Sequence, residues 1–527
     1  MRKILVCCFL LVLMTSLEAQ EFISVPLDNS AYDIIEMGIL RGIITPPPSV
    51  KPWSVNIVKK KLWEMMDDPE EILSSKEAEM LEYAYNSFER KEGVDLLFSW
   101  ESNFAVQAPD GSISSVNLAK VSARGDFASG TTSWDITVLG EFLYIERNRD
   151  SHNIPSMFPY TMSKMWDGGV LSLLNTEAYF AWPEDPSLAA GLMGEISGLL
   201  FDQKIQFRVG RLRRDWGSGT SGSSLFINSR SSPFIAVEGI ASPLSWLDIS
   251  FLTGITEFYQ NENQWPGQDD SFFINILSAA QFEFNPVRFI YFSIGGSAIW
   301  LHQVNLAAFS TLELRLPGLL KIWGSIFLDR LETSPNNFPV TNGNSYAYQA
   351  GLKTAVRWLP FGAFTFSYTK VEPFCYTDSY DGYSGRRLPS MSAFVNSGES
   401  LGYYLPPNSD EVLLRLEAMF LSDLKAYVQF QMLRHGVDYG DGRVDGSSLK
   451  DRLADPRSQK HFLEDGVYCW NNVIKLGGSF KLLAGTLPFS VYTEMGYVST
   501  AFDVEKDSAY RNGNGFIFSV GFILFPR

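Results

Sequence analysis

The chain has 527 residues, 14% of them aromatic and only 19% charged, yet its formal net charge is −16. That acidity excludes a nucleic-acid partner held by phosphate contacts, and the length is large for a single compact core. With four cysteines in all, a disulfide scaffold is excluded as well.

Read from its start, Met1–Ala19 has the pattern of a secretory signal peptide. Arg2 and Lys3 precede the apolar run Ile4–Met14, and Ala19 is the cleavage position. Cys7 and Cys8 lie inside that run, too early for a lipoprotein anchor, so Cys375 and Cys469 are the cysteines of the exported chain and a single bridge between them is open. Residues 20–92 then read as a small periplasmic α-helical domain. Ile34, Ile35, Ile39 and Leu40 fall at helical spacing, Pro46–Pro48 break the pattern, and Ser54 is placed to cap a helix through "VNIVKKKLWEMM". Ser74 and Glu77 have capping-box spacing ahead of a helix that puts Leu81, Tyr85 and Phe88 on one face.

From residue 93 to 527 the period changes to two. In "FTFSYTKV", Phe364, Phe366 and Tyr368 alternate with Thr365, Ser367 and Thr369; "LLRLEAMF", "YVQFQM" and "WDITVLGEF" behave alike. Roughly 16–20 such segments follow one another. No stretch reaches 18 consecutive apolar residues, whereas runs near ten residues suit strands crossing an outer membrane. A soluble β-repeat fold also fits the alternation, but Trp134, Tyr144, Tyr179, Trp182, Trp300, Trp358, Tyr368 and Tyr497 fall near strand limits, as interfacial girdles require. The last strand, "FIFSVGFILF", ends two residues from the carboxyl terminus, as closure demands where no edge is allowed to stay open in lipid. The fold class expected is therefore all-β: a transmembrane antiparallel β-barrel behind the helical domain, in contact with outer-membrane lipid and with the barrel-assembly machinery through its C-terminal strand.

Candidate binding residues sit where strands end. "KIQFRVGRLRRDWG" starts as a strand with Ile205, Phe207 and Val209 on one face. Continued alternation would turn Arg211 and Arg213 toward lipid, at a cost of about 2–4 kcal/mol each near the midplane. The strand must leave the membrane by Arg211 or bulge into the lumen, so Arg211, Arg213, Arg214 and Trp216 are expected in water or in the barrel mouth. Gly217 and Gly222 have phosphate-loop separation, but Ser223 stands where lysine is required and the context is strand to strand. Guanidinium groups fork to carboxylates and aromatic rings offer flat apolar faces, so these four residues, with Trp265 in "QNENQWPGQDD" and Arg386 and Arg387 in "CYTDSYDGYSGRRLPSMSAF", are candidate ligand contacts. The competing reading makes the first four a brace, paired with lumenal carboxylates such as Asp215 and Glu141. Asp438, Asp441 and Asp445 in "GVDYGDGRVDG" offer oxygen ligands for calcium, but their spacing misses the EF-hand pattern and favours a solvated loop. His152, His302, His435 and His461 make no metal-ligand spacing, and there is no nucleophile elbow. No cofactor and no enzymatic activity are expected.

Two stretches resemble the outer-membrane capsule assembly proteins of the Wzi type. One is "VPLDNSAYDIIEMGILRGIITPPPSVKPWS"; the other runs from Arg214 through Trp216-Gly217-Ser218-Gly219 to Leu225, Asn228 and Pro233. Ser218 replaces the family's usual proline, and the asparagine turn is thinner. The resemblance implies about 18 strands behind a periplasmic helical bundle, and a lectin-like role binding surface polysaccharide to the outer membrane, in which Arg211, Arg213, Arg214, Trp216, Trp265, Arg386 and Arg387 are the candidate glycan contacts. Two alternatives are a porin-like channel for small polar solutes and a structural or adhesin barrel acting through its external loops.

Overall fold

The computed structural model describes the chain from Phe22 to Leu524, apart from residues 28, 68–71, 89–92, 109–112, 129–133, 148–186, 201–204, 218–221, 261–270, 301–303, 330–344, 378–392, 397–398, 422–423, 438–466, 483–488 and 503–512. Three helices come first: α1 Ala31–Arg41, α2 Val55–Met66 and α3 Ser75–Asn86. Gly42 ends α1 in the left-handed region (φ 80°), its N–H returning to the carbonyls of Gly38 and Ile39. Ser54 caps α2 by accepting from the Ile57 N–H, and Ser74 and Glu77 form the expected capping box on α3.

Eighteen strands then close a barrel. They are β1 Gly93–Ala108, β2 Ile113–Ala128, β3 Trp134–Arg147, β4 Ser187–Leu200, β5 Ile205–Leu212 and β6 Phe234–Leu244. Next come β7 Leu247–Gln260, β8 Ser271–Val287, β9 Ile290–Trp300, β10 Asn305–Leu316, β11 Leu320–Leu328 and β12 Tyr346–Ala355. The series ends with β13 Ala363–Val371, β14 Ser409–Leu421, β15 Leu424–Val437, β16 Val467–Leu482, β17 Phe489–Phe502 and β18 Gly513–Leu524. Each pairs antiparallel with its sequence neighbours, and β1 pairs with β18 from Phe98↔Leu524 to Ala108↔Asn514, so no edge is left.

Alternation sorts the two faces. On β8 and β9, Phe282, Phe292 and Ile294 are exposed outward, while Gln281, Glu283, Tyr291 and Ser293 are buried inward. Outward apolar and inward polar side chains are the arrangement lipid imposes. Short turns at Ser245–Trp246 and Arg288–Phe289 mark one end; the connections 213–233 and 372–408 lie at the other.

The helical segment does not stand clear of the barrel. Its chain contacts inward-facing residues around the wall: the Phe22 N–H donates to Asp135 on β3, Ser24 to Glu195 on β4, and the Ser49 N–H to Glu283 on β8. Glu36 of α1 bridges Lys321 on β11 and Lys353 on β12 at 3.0 and 2.9 Å, and Asp33 meets Lys425 on β15. The helices share one apolar core, whose barrel contribution is Phe361, Ala363 and Met419 at the short-turn end. The reason is chemical: an inward wall carrying Lys321, Lys353, Lys425, Glu195 and Glu283 needs counter-groups, and this segment supplies them.

Candidate functional site

At the heart of the lumen is Glu238, the one charged residue of β6. It is 1% exposed and faces inward between β5 and β7. Arg208 on β5 approaches its Oε2 with Nε at 3.0 Å and Nη2 at 2.9 Å. Arg214, just past β5, donates Nε to the same oxygen at 3.3 Å, and Trp216 donates Nε1 to Oε1 at 3.2 Å. Arg208 also reaches across to the N-terminal segment, donating Nη1 to the Ser24 hydroxyl at 2.5 Å and the Pro52 carbonyl at 2.8 Å. Arg214 donates to the Leu212, Phe234 and Gly210 carbonyls and lies 4.7 Å over the Phe234 ring. Burial opposes its charge most and neighbouring Arg208 adds to this, so its pKa is lowered despite Glu238. A short antiparallel ribbon, Val50↔Trp216 and Lys51↔Asp215, completes the junction between N-terminal segment and loop.

Above this junction two connections fold inward and close it with aromatic rings. Phe226 stacks on Phe309 of β10 with centroids 3.9 Å apart and packs on Phe394 at 5.4 Å; Phe327 of β11 meets Tyr376 at 5.0 Å. The Tyr376 hydroxyl donates to the Leu225 carbonyl at 2.8 Å, tying the two connections together. Gly402 lies so close to Tyr376 that a Cβ there would sit 2.5 Å from the ring. Cys375 is buried in this cluster, and both Cys375 and Cys469 are free thiols.

Below the junction, α1 faces β9–β12 across a cavity of about 50 Å³ bordered by Glu36, Lys51, Glu313, Arg315, Lys321 and Lys353. That is room for a few waters. Burial by itself would raise the Glu36 carboxyl, but Lys353, Lys321 and Lys51 outweigh it and hold it at about 2, against an ordinary 4.5. Glu77 is treated alike: burial raises it, while Arg41 and the Phe361 and Ser74 N–H groups bring it to about 2. A carboxyl depressed by folding stabilises fully above its unfolded pKa, and that contribution fades as pH falls through the folded value. Acidification from about 4.5 toward 2 is therefore expected to loosen the helices from the wall, exposing the α2–α3 region to pepsin while the barrel persists. Resistance of that region down to pH 2 would contradict this.

Of the sequence candidates, the structure brings Arg214 and Trp216 into the interior at Glu238 rather than into water or an open mouth; Arg211 is buried but stays in β5, paired with outward-facing Ile235, and Arg213 is half-buried. β5 stops at Leu212, one residue past Arg211, so Arg213 and Arg214 fall outside the strand while Arg211 is its next-to-last residue. The brace reading describes Arg214 and Trp216, but with a different carboxylate. Their partner is Glu238, whereas Asp215 accepts from the Gly222 N–H and stands across from Lys51. Trp265, Arg386, Arg387, Asp438, Asp441 and Asp445 lie outside the described residues, as does the Glu141 side chain. Sequence reasoning missed Arg208, Glu238 and Glu195, although a lone glutamate at an inward position of "FIAVEGIASPL" is a readable signal.

No family model and no curated protein sequence matches the chain. Among solved structures, it is similar to Wzi, an outer membrane protein involved in group 1 capsule assembly in Escherichia coli and described as a carbohydrate-binding β-barrel. The TM-score is 0.58 at 12% identity, covering 95% of this chain and 99% of that one. It is also similar to the outer membrane protein OpdK of Pseudomonas aeruginosa, with a TM-score of 0.44, 10% identity and coverage of 82% and 99%. At such identities the first likeness bears on the fold: a closed 18-strand barrel with an N-terminal helical part.

Proposed function

We propose that the protein is an outer-membrane barrel that binds surface or capsular polysaccharide and helps hold it at the cell surface without catalysis. The short-turn end with its helices then faces the periplasm, and the long connections face outside. The observation that carries this reading is the filling of the lumen. The N-terminal segment and the 213–233 connection meet at Glu238, and with the 372–408 connection they bury Trp216, Phe226, Tyr376 and Phe394 where a porin needs water. A Wzi-like role, proposed on the shared architecture, fits a plugged barrel better than a passive pore. Trp265, Arg386 and Arg387, with half-buried Arg213, are the glycan contacts in this reading; Arg211, Arg214 and Trp216 serve by holding the scaffold.

The test is conductance in a planar bilayer paired with retention on immobilised cell-surface polysaccharide. The expected result is insertion without steady openings, together with retention that is lost in an Arg386→Ala/Arg387→Ala variant. Steady single-channel openings with no retention would overturn the proposal in favour of a porin.

A further inference from the structure

Where β7 and β8 approach the short-turn end, four inward side chains form a square of oxygen atoms. Glu283 stands directly opposite Asp248, and Gln281 directly opposite Ser250, so the members of each pair are about 5 Å apart at Cβ. Glu283 and Ser250 are 0% exposed, Gln281 is 2% exposed, and Asp248 is half-buried. The N-terminal segment lies over this square. The Ser49 N–H donates to Glu283 Oε2 at 2.8 Å, the Tyr291 hydroxyl donates to the same oxygen at 3.2 Å, and Gln281 donates Nε2 to the Ser49 hydroxyl at 3.1 Å. Glu283 Oε1, Gln281 Oε1 and Ser250 Oγ are left buried with no hydrogen-bond partner among the described residues. Asp248 accepts at Oδ1 from the hydroxyl of exposed Ser242. Neither carboxylate makes an ion pair among the described residues, although the two are near enough to act on one another electrostatically. Arg315, the basic residue of the adjoining wall, is committed to Glu313 and Asn285.

We infer that this square is a calcium site. A buried carboxylate without a counter-charge is strongly destabilising, and a second carboxylate facing it adds repulsion. What the square lacks is of one kind: its orphaned atoms are oxygens, and its charge is negative. A proton on Glu283 would leave the Gln281 carbonyl oxygen and the Asp248 carboxylate as they are. Water would bond to the oxygens and bring no charge. A hard divalent cation answers all four residues at once. Calcium takes about six to eight oxygens, mixes carboxylate, carbonyl and water ligands, and tolerates irregular geometry, whereas magnesium demands a near-ideal octahedron. Glu283 and Asp248 supply the charge, Gln281 and Ser250 supply neutral oxygens, and water completes the shell, entering past Asp248 and Ser242 at the short-turn end. Because Ser49 holds the other oxygen of Glu283, the ion also fixes the seat on which the N-terminal segment rests. The inference is independent of what the barrel binds outside.

The experiment is calorimetric titration of the full-length protein, refolded in detergent and stripped with EDTA, with calcium chloride and separately with magnesium chloride. Wild type is expected to bind about one calcium per chain at this site, and magnesium at least about tenfold more weakly. Glu283→Gln and Asp248→Asn keep the shape of the site and remove one charge each. Each should weaken calcium by about tenfold or more, since affinity follows the charge count of the ligands. Calcium should also raise the denaturant midpoint of wild type and leave that of the Glu283→Gln/Asp248→Asn variant unmoved. Heat-modifiable migration confirms that each variant is folded. Asp438→Asn/Asp441→Asn/Asp445→Asn, in the aspartate-rich stretch noted in the sequence, is the control and should keep the wild-type midpoint shift. No calcium binding by wild type, binding unchanged in the Glu283→Gln/Asp248→Asn variant, or binding lost with the three control aspartates instead, overturns the inference. Equal affinity for magnesium overturns the assignment to calcium.

Discussion

Glu238→Ala is expected to destabilise the folded barrel by about 3–5 kcal/mol, the cost of removing one partner from a buried ion pair. The alanine leaves Arg208 and Arg214 charged at 2% and 0% exposure and orphans the Trp216 indole N–H. Arg208 keeps its bonds to Ser24 and Pro52, and Arg214 keeps its three carbonyls, but none of these supplies negative charge. Glu238→Gln keeps an acceptor and should fall between alanine and wild type. Denaturant midpoints in detergent read the order directly. A midpoint for Glu238→Ala equal to wild type would mean that the interior is held elsewhere, and the junction would lose its role.

Glu36→Lys should release α1 from the wall. It sets a third ammonium against Lys321 and Lys353 in a site where the carboxylate now bridges both, so an attractive buried pair becomes a repulsive one, again about 3–5 kcal/mol. The reporter is a Ser49→Cys substitution, because Ser49 is buried against Glu283, Gln281 and Tyr291 behind α1 and both described native cysteines are themselves buried. Labelling of the thiol introduced by Ser49→Cys with a charged, membrane-impermeant maleimide should rise by about tenfold or more when local opening becomes easier. Glu36→Gln should give a smaller rise. Unchanged labelling in Glu36→Lys would show that the charged contacts do not hold the segment in place.

The strands and helix caps were legible because their signals are local. A period of two in "FTFSYTKV" and "YVQFQM" and the Ser74–Glu77 spacing need only a few consecutive residues, and each recurs in the structure as an inward–outward alternation or a cap. The arginine stretch was legible as a place of consequence but not in its partners. Glu238 lies 24 residues beyond Arg214 and Ser24 lies 184 residues before Arg208; the β5–β6 register brings the first pair together and the inward course of the N-terminal segment the second. Alternation likewise placed Arg415 and Glu417 on a polar face without revealing that Tyr427 would lie under the guanidinium, since cross-strand register is set by the whole sheet.

The N-terminal segment also dictates an order of assembly. Its contacts with Asp135, Glu195, Glu283, Lys353 and Lys425 span 113, 171, 234, 317 and 392 residues. These residues therefore wait for partners on strands that follow far later in the sequence. The sheet curls around them, and where β1 meets β18 the seam leaves the two ends as the ways in. Loop-closure entropy of that kind makes folding slow. The N-terminal segment is thus a mandrel around which the wall is wound.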